Sequence, residues 1–223
     1  MADDRCKCSS EVWQAFLCNA EKCVVQPSPP ATATPLMGRI VRLLLTPHPL
    51  SRSVAVAQIE VDIDRPRPAQ LTLSFALAGD IARIAVPAAR PSARRTELWK
   101  STCFEAFIRV SKEPGYYEFN FSPSTEWAAY RFDSYRNGMC AESAIGAVLI
   151  DWRPAQDECT LQAHLNLGLL PGLVRAAALQ VGLSAVIEER SGSRSYWSLT
   201  HPTDKPDFHH PASFAHDISW EEP

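Results

Sequence analysis

The sequence predicts an all-β protein, a two-layer antiparallel β-sandwich of immunoglobulin or jelly-roll type with one short helix at most. Three observations carry this. Apolar and polar residues alternate at a period of two through segment after segment, as half-buried strands require. Proline, glycine and acidic or hydroxyl turn residues interrupt the chain at short intervals, and only one segment has a helical pattern. Nine to ten short strands with almost no helix have one common solution, two antiparallel layers closed on a shared core.

The first expected strand is 40–46, IVRLLLT, stopped by Pro47 and Pro49, which suit an edge strand. In 54–64 Ile59, Val61 and Ile63 oppose Glu60, Asp62 and Asp64, so one side is buried and one wet. RPRPAQ turns the chain into LTLSFALAGD, with Leu71, Leu73, Phe75 and Leu77 inward, and Gly79 and Asp80 close a hairpin into IARIAVP. A loop rich in proline and arginine follows.

The stretch 99–136 reads as three strands. In CFEAFIRV, Phe104, Ala106, Ile108 and Val110 oppose Cys103, Glu105, Phe107 and Arg109. EPG forms a tight hairpin into YYEFNFS, where Tyr117, Phe119 and Phe121 oppose Tyr116, Glu118, Asn120 and Ser122. In WAAYRFD the larger apolar Tyr130 and Phe132 are assigned to the core, leaving Trp127, Arg131 and Asp133 outside. AVLIDW and CTLQAHLNL are further strands, LLPGLVRAAALQV is the helical segment, and GLSAVIEERSGSRSYWSL is a hairpin around Ser191, Gly192 and Ser193. The histidine- and proline-rich tail is expected to lie over the surface, pinned by Phe208 and Phe214.

Composition narrows the functional classes. At 46% hydrophobic and 21% charged, the 223-residue chain can bury a core. A net charge of -3 gives no reason to expect nucleic acid, and the one arginine cluster, Arg83, Arg90, Arg94 and Arg95, is broken by Pro87 and Pro91 and reads as a solvated loop rather than a phosphate site. No apolar run approaches the roughly 20 residues that span a bilayer, and the N-terminus lacks the apolar region of a secretory signal, so no membrane partner and a cytoplasmic location are expected. Of seven cysteines, Cys6, Cys8, Cys18 and Cys23 fall in the first 23 residues, with a spacing that matches no paired zinc motif. Residues 1–37, ending in a Pro/Ala/Thr segment, are read as a disordered extension, and 38–223 as the sandwich domain.

The outer face of 99–136 is where chemistry is expected. Glu105, Arg109, Glu118, Asn120, Trp127, Arg131 and Asp133 share it if register follows the apolar pattern. One reading is a solvated face of cross-strand ion pairs. The other is a groove for a saccharide or similar polyhydroxylated molecule: planar Asn, Glu, Asp and Arg groups each engage two adjacent hydroxyls, and a tryptophan stacks on the sugar's apolar face. On that reading Trp99 and Trp127 stack, Glu105, Glu118, Asn120, Arg131 and Asp133 hydrogen-bond, and Arg136 and Lys205 lie at the margin. Trp127→Ala would then abolish binding without altering stability. Glu105 and Glu118 could also form a glycosidase pair, Cys103 and His201 a nucleophile and base, and His201, His209, His210 and His216 a zinc site, but no spacing singles these out.

The runs LWKSTCFEAFI, YYEFNFSPSTEWAAYRFDSYRNGM, GLSAVIEE, SYWSLTHP and KPDFHHPASF resemble the bacterial DOMON-like proteins, relatives of the family 9 carbohydrate-binding modules. The resemblance covers roughly 40–218 and implies a sandwich that binds a sugar without catalysis, with calcium at structural positions. Other DOMON branches take haem, which needs axial Met or His in an apolar pocket. Met139 follows the turn-like SYRNG and His164 alternates with Gln162 and Asn166, so haem is disfavoured, and beyond the calcium that the resemblance implies no cofactor is expected. A structural or protein-interaction domain without a small ligand is the reading from another class.

Overall fold

The computed structural model of the chain describes residues 40–219, apart from 68 and 177; the expected extension at 1–37 lies outside them. Twelve strands form within that span. In order they are β1 (Val41–Pro47), β2 (Val56–Arg67), β3 (Gln70–Gly79), β4 (Cys103–Val110), β5 (Tyr116–Phe121), β6 (Trp127–Phe132), β7 (Cys140–Ala141), β8 (Leu149–Pro154), β9 (Glu158–Asn166), β10 (Ala178–Glu188), β11 (Arg194–Ser198) and β12 (His216–Ser219). The helical segment supplies a single turn, α1 (Pro171–Val174), and its ALQV end opens β10 instead. IARIAVP is not a strand: Ile81–Arg83 is a 3-10 turn, and Ile84 makes one isolated bridge to Glu189. Among the described residues no helix is long and apolar enough to cross a membrane.

All strand pairs are antiparallel, in the order β7-β6-β5-β4-β10-β11-β1-β2-β3-β9-β8, with β12 also on β10. The strand expected at an edge, β1, is central. Val41 to Leu45 pair with β2, whereas Thr46 and Pro47 pair with β11, so β1 carries the sheet from one layer into the other. Pro47 is tolerated because it closes that pairing at the strand's last residue.

Alternation in β2, β3 and β9 sets the first layer. Ile59, Val61, Ile63, Leu71, Leu73, Phe75, Leu77, Leu161 and Ala163 are buried in one core with Phe104, Ile108, Phe119 and Phe121 of the second layer. Phe75 and Phe104 meet across the layers, ring centroids 5.1 Å apart. Each such side chain withdrawn from water contributes about 1.5–3 kcal/mol, which is why the period-two pattern fixes register.

The second layer is buried on both faces. Behind it lies a smaller cluster of Leu98, Cys103, Phe107, Tyr116, Ala128, Tyr130, Phe132 and Phe214, with Phe208 packed against it. The tail therefore crosses the outside of this sheet, anchored as expected by Phe208 and Phe214. Its approach is close: a Cβ at Gly182 would stand 2.8 Å from the Ser213 carbonyl oxygen. Gly182→Ala is expected to cost about 1–3 kcal/mol by overpacking, lowering the melting temperature by about 2–12 °C and speeding proteolysis of the tail. An unchanged melting curve would show that the tail yields without cost.

Candidate functional site

Pairing across β10, β4, β5 and β6 places Ser184, Glu105, Asn120 and Ala128 in one row, with Gly182, Phe107, Glu118 and Tyr130 in the next. Glu105, Glu118 and Asn120 thus share a face, but that face is not open. Glu105 is 3% exposed and Asn120 1%. The cause is the second aromatic layer: His209 of the tail lies edge-on to Phe107 at 5.1 Å and to Phe132 at 5.2 Å, and Phe214 packs on Tyr116 at 5.5 Å. An amphipathic strand needs only one cover, and these strands have two.

The expected faces of β6 are reversed. Glu118 pairs with Tyr130 and Asn120 with Ala128, so Tyr130 and Phe132 stand on the polar face, while Trp127 and Arg131 stand on the side of Phe121 and Tyr117. Trp127 is a core residue, 3% exposed, and no stacking platform. The Arg94 guanidinium lies 4.4 Å over its ring and donates to the carbonyls of Ala129, Glu142 and Ile145. Arg131 emerges near the end of the strand, where it pairs with Asp133 at 3.1 Å and reaches Cys140 Sγ. Neither Arg131 nor Asp133 joins the polar row. The reversal follows from the connection: Ser122 N–H donates to Glu126 O and Thr125 N–H to Ser122 O, so the chain turns with Phe121 opposite Trp127. WAAYRF carries large apolar groups on both faces, which is itself the mark of a strand covered twice.

Two hydrogen-bonded groups lie along the covered face. Ser184 Oγ donates to Glu105 Oε2 at 3.1 Å, Asn120 Nδ2 donates to Glu118 Oε1 at 2.7 Å, and the Cys103 thiol faces Asn120 Oδ1 at 3.7 Å. His209 Nε2 lies 3.8 Å from Glu118 Oε2, and its Nδ1 is 2.8 Å from the Tyr116 hydroxyl. Arg136, predicted as a ligand group, serves the tail: its N–H donates to Tyr116 Oη and its guanidinium binds Asp207 at 2.8 Å. Tyr116, Ser184, Asp207 and His209 were not singled out by the strand pattern, because three of them come from distant segments and Tyr116 reads as an ordinary aromatic.

Burial sets the charges here. Desolvation, reinforced by neighbouring Glu118, pushes the Glu105 carboxyl up to about 8 against the bond from Ser184. Glu118 is raised by burial too, opposed by Asn120 and Arg136. Burial, with Arg136 nearby, lowers His209 to about 4, so its ring is neutral near pH 7. The Cys103 thiol is raised well above its ordinary value, first by burial and then by Glu105, which makes it a poor nucleophile. His201 instead meets the Thr46 carbonyl at 2.8 Å. Glu189 shows the opposite balance. Burial would raise it, but N–H groups of Val54 and Ala55 and the hydroxyls of Ser53 and Ser193 hold it ionised.

The accessible part of this face lies at its far end. A cleft of about 440 Å³ is lined by residues that include Arg90, Arg95, Glu97, Lys100, Ser122 and Glu126. Leu98 and Lys100 of the 3-10 turn Leu98–Lys100 line it, while Trp99 between them does not, and the turn is entered through Glu97 in the left-handed region at φ 62°. Leu98 is buried, whereas Trp99 is 49% exposed with Lys100 Nζ 5.6 Å from its ring centroid. Arg95 pairs with Glu126 at 3.2 Å and Lys100 with Glu97 at 2.6 Å.

For the calcium implied by the resemblance, no three His, Cys, Asp or Glu groups converge among the described residues. The haem donors fare no better. His164 Nδ1 is engaged by Thr72 Oγ1 at 3.0 Å, and Met139 is largely exposed.

No protein-family model matches the chain, and no curated protein matches it significantly. Solved structures do. A protein from Bacteroides uniformis, provisionally described as carbohydrate-binding, is 13% identical, with a TM-score of 0.58 over 82% of this chain and 87% of that one. A family 9 carbohydrate-binding module from Caldicellulosiruptor kristjanssonii, in complex with cellotriose, is 9% identical, with a TM-score of 0.50 over 81% of this chain and 82% of that one. At these identities the likeness establishes a shared sandwich fold.

Proposed function

We propose that the chain is a non-catalytic saccharide-binding module of DOMON-like type, and that its sugar sits in the cleft beside Trp99 rather than over the covered row. The exposed indole carries this reading. A half-exposed tryptophan on a turn whose neighbours line a cleft of small-molecule size offers the apolar platform that a sugar ring needs. Ser101, Ser122, Glu97, Glu126, Arg90 and Arg95 bring hydroxyl, carboxylate and guanidinium groups to the same cleft. The two similar folds, one in complex with cellotriose, agree with this reading.

Thermal unfolding with a panel of mono- and oligosaccharides tests it. A ligand at a hundred times its dissociation constant adds about 2.7 kcal/mol, a rise of about 5–11 °C. Trp99→Ala should remove that rise while changing the ligand-free protein by no more than about 0.5 kcal/mol. Retained binding in the variant would move the site elsewhere. The capped polar row favours a second reading, a structural domain without a small ligand, and no rise with any saccharide would favour it.

A further inference from the structure

We propose that the cleft selects acidic saccharides, sugars bearing a carboxylate, and that Arg90 is the group that binds the acid; this rests on the saccharide-binding reading above. Three cationic and two anionic side chains line the cleft, Arg90, Arg95 and Lys100 against Glu97 and Glu126. The pairs are already made. Lys100 Nζ meets Glu97 Oε1 at 2.6 Å, and Arg95 meets Glu126 Oε1 at 3.2 Å, while the other Glu126 oxygen accepts from Ser124 Oγ at 2.9 Å. The Arg90 guanidinium has no side-chain or carbonyl partner among the described residues. The cleft is therefore left with one uncompensated positive charge.

Arg90 is also held at its root. Its N–H donates to Ser124 O at 2.9 Å, and its carbonyl accepts from Thr125 Oγ1 at 2.7 Å. Thr125 sits at φ 73°, a left-handed conformation that a β-branched residue adopts only where its surroundings enforce it. The turn that bears it is tied together by Ser122, Ser124 and Glu126, all buried. A surface arginine with no task needs no such seat. The contrast with Arg94, whose guanidinium is spent on three carbonyls and the Trp127 ring, divides the arginine cluster into a structural member and a ligand-facing one.

A guanidinium engages a carboxylate through two parallel hydrogen bonds, a geometry that a neutral hydroxyl pair matches only weakly. The hydroxyls of Thr96 and Ser101 remain to meet the sugar ring.

Calorimetric titration of the full chain with D-glucuronate and D-galacturonate, their neutral parents D-glucose and D-galactose, and acetate tests the inference. Uronates are expected to bind about tenfold or more tighter than the parent sugars. Arg90→Gln should remove that advantage without lowering the melting temperature, and Arg83→Gln, outside the cleft, should leave it intact. Neutral sugars binding as tightly as uronates would overturn the acid selectivity and leave the saccharide reading standing. Acetate binding as tightly as uronate would overturn both, since the cleft would then read the acid alone. Binding of none of these would overturn the inference and, at this cleft, the reading beneath it.

Discussion

Trp127→Ala is expected to destabilise the protein by about 3–5 kcal/mol, lowering the melting temperature by about 6–20 °C, and to impair any ligand binding only through that loss. The indole is buried within the main core, so the truncation leaves a cavity as well as losing its transfer energy. Its backbone also stitches the arginine loop to the sheet: Trp127 N–H donates to Ala93 O at 3.0 Å and Arg95 N–H donates to Trp127 O at 2.8 Å. Arg94 would lose its ring partner while keeping its carbonyl bonds. Chemical denaturation gives the test, with Arg94→Gln as a companion that should cost less. A variant of native stability that has lost saccharide binding would restore the indole to a ligand surface and sink the core assignment.

That reversal marks how far the pattern could be read. β2 and β3 were legible because each has one dry and one wet side, and Ile59, Val61, Leu73 and Phe75 can only point one way. The same logic held for Phe104, Phe119 and Phe121. It failed in β6, where Trp127 and Tyr130 are both buried on opposite faces, and period two offers no means of choosing between two apolar sides. Deciding needed the count of residues in the turn from Ser122 to Glu126. The covered row was half legible. Glu105, Glu118 and Asn120 were placed on one face correctly, but their cover comes from His209 and Phe214, nearly a hundred residues onward, and long-range covers leave no local periodic signal. The arginine cluster was sorted only by its hydrogen bonds: Arg90 and Arg94 look alike in sequence, yet the Arg94 guanidinium is spent on three carbonyls and the Trp127 ring, while that of Arg90 has no such partner among the described residues.

Glu105→Gln is expected to stabilise the protein above neutral pH by about 2–4 kcal/mol and to do little at pH 4. Burial first, and then the neighbouring Glu118 charge, move this carboxyl from 4.5 to about 8. Below about 4.5 it is protonated whether the chain is folded or not, and its contribution to stability is fully present. Between 4.5 and 8 the unfolded chain releases the proton while the folded chain keeps it, so stability falls as pH rises, at up to about 1.4 kcal/mol per pH unit. Above 8 the loss is complete. Sharing of the burden with Glu118 and relaxation of the row bring the total below the full shift. His209 acts in the opposite sense: lowered from 6.5 to about 4, it costs stability as pH falls through that interval and is silent above it. The window from 6.5 to 8 therefore isolates the carboxyls. Glutamine keeps an acceptor for Ser184 Oγ and replaces the acid proton with an amide donor, so that position stays hydrogen-bonded and no longer ionises, and Glu118 loses its charged neighbour. Urea denaturation at pH 5, 6.5, 8 and 9 compares the two proteins. Divergence that grows with pH is the expected result, whereas parallel curves from 6.5 to 9 would mean that Glu105 ionises inside the fold at no cost. A glutamine variant weakened at every pH would mean that the native row depends on a carboxylate charge. If the curves diverge, Glu105 is a neutral packing element at pH 7, which leaves the charged cleft at the end of the row as the part of that face suited to meet a ligand.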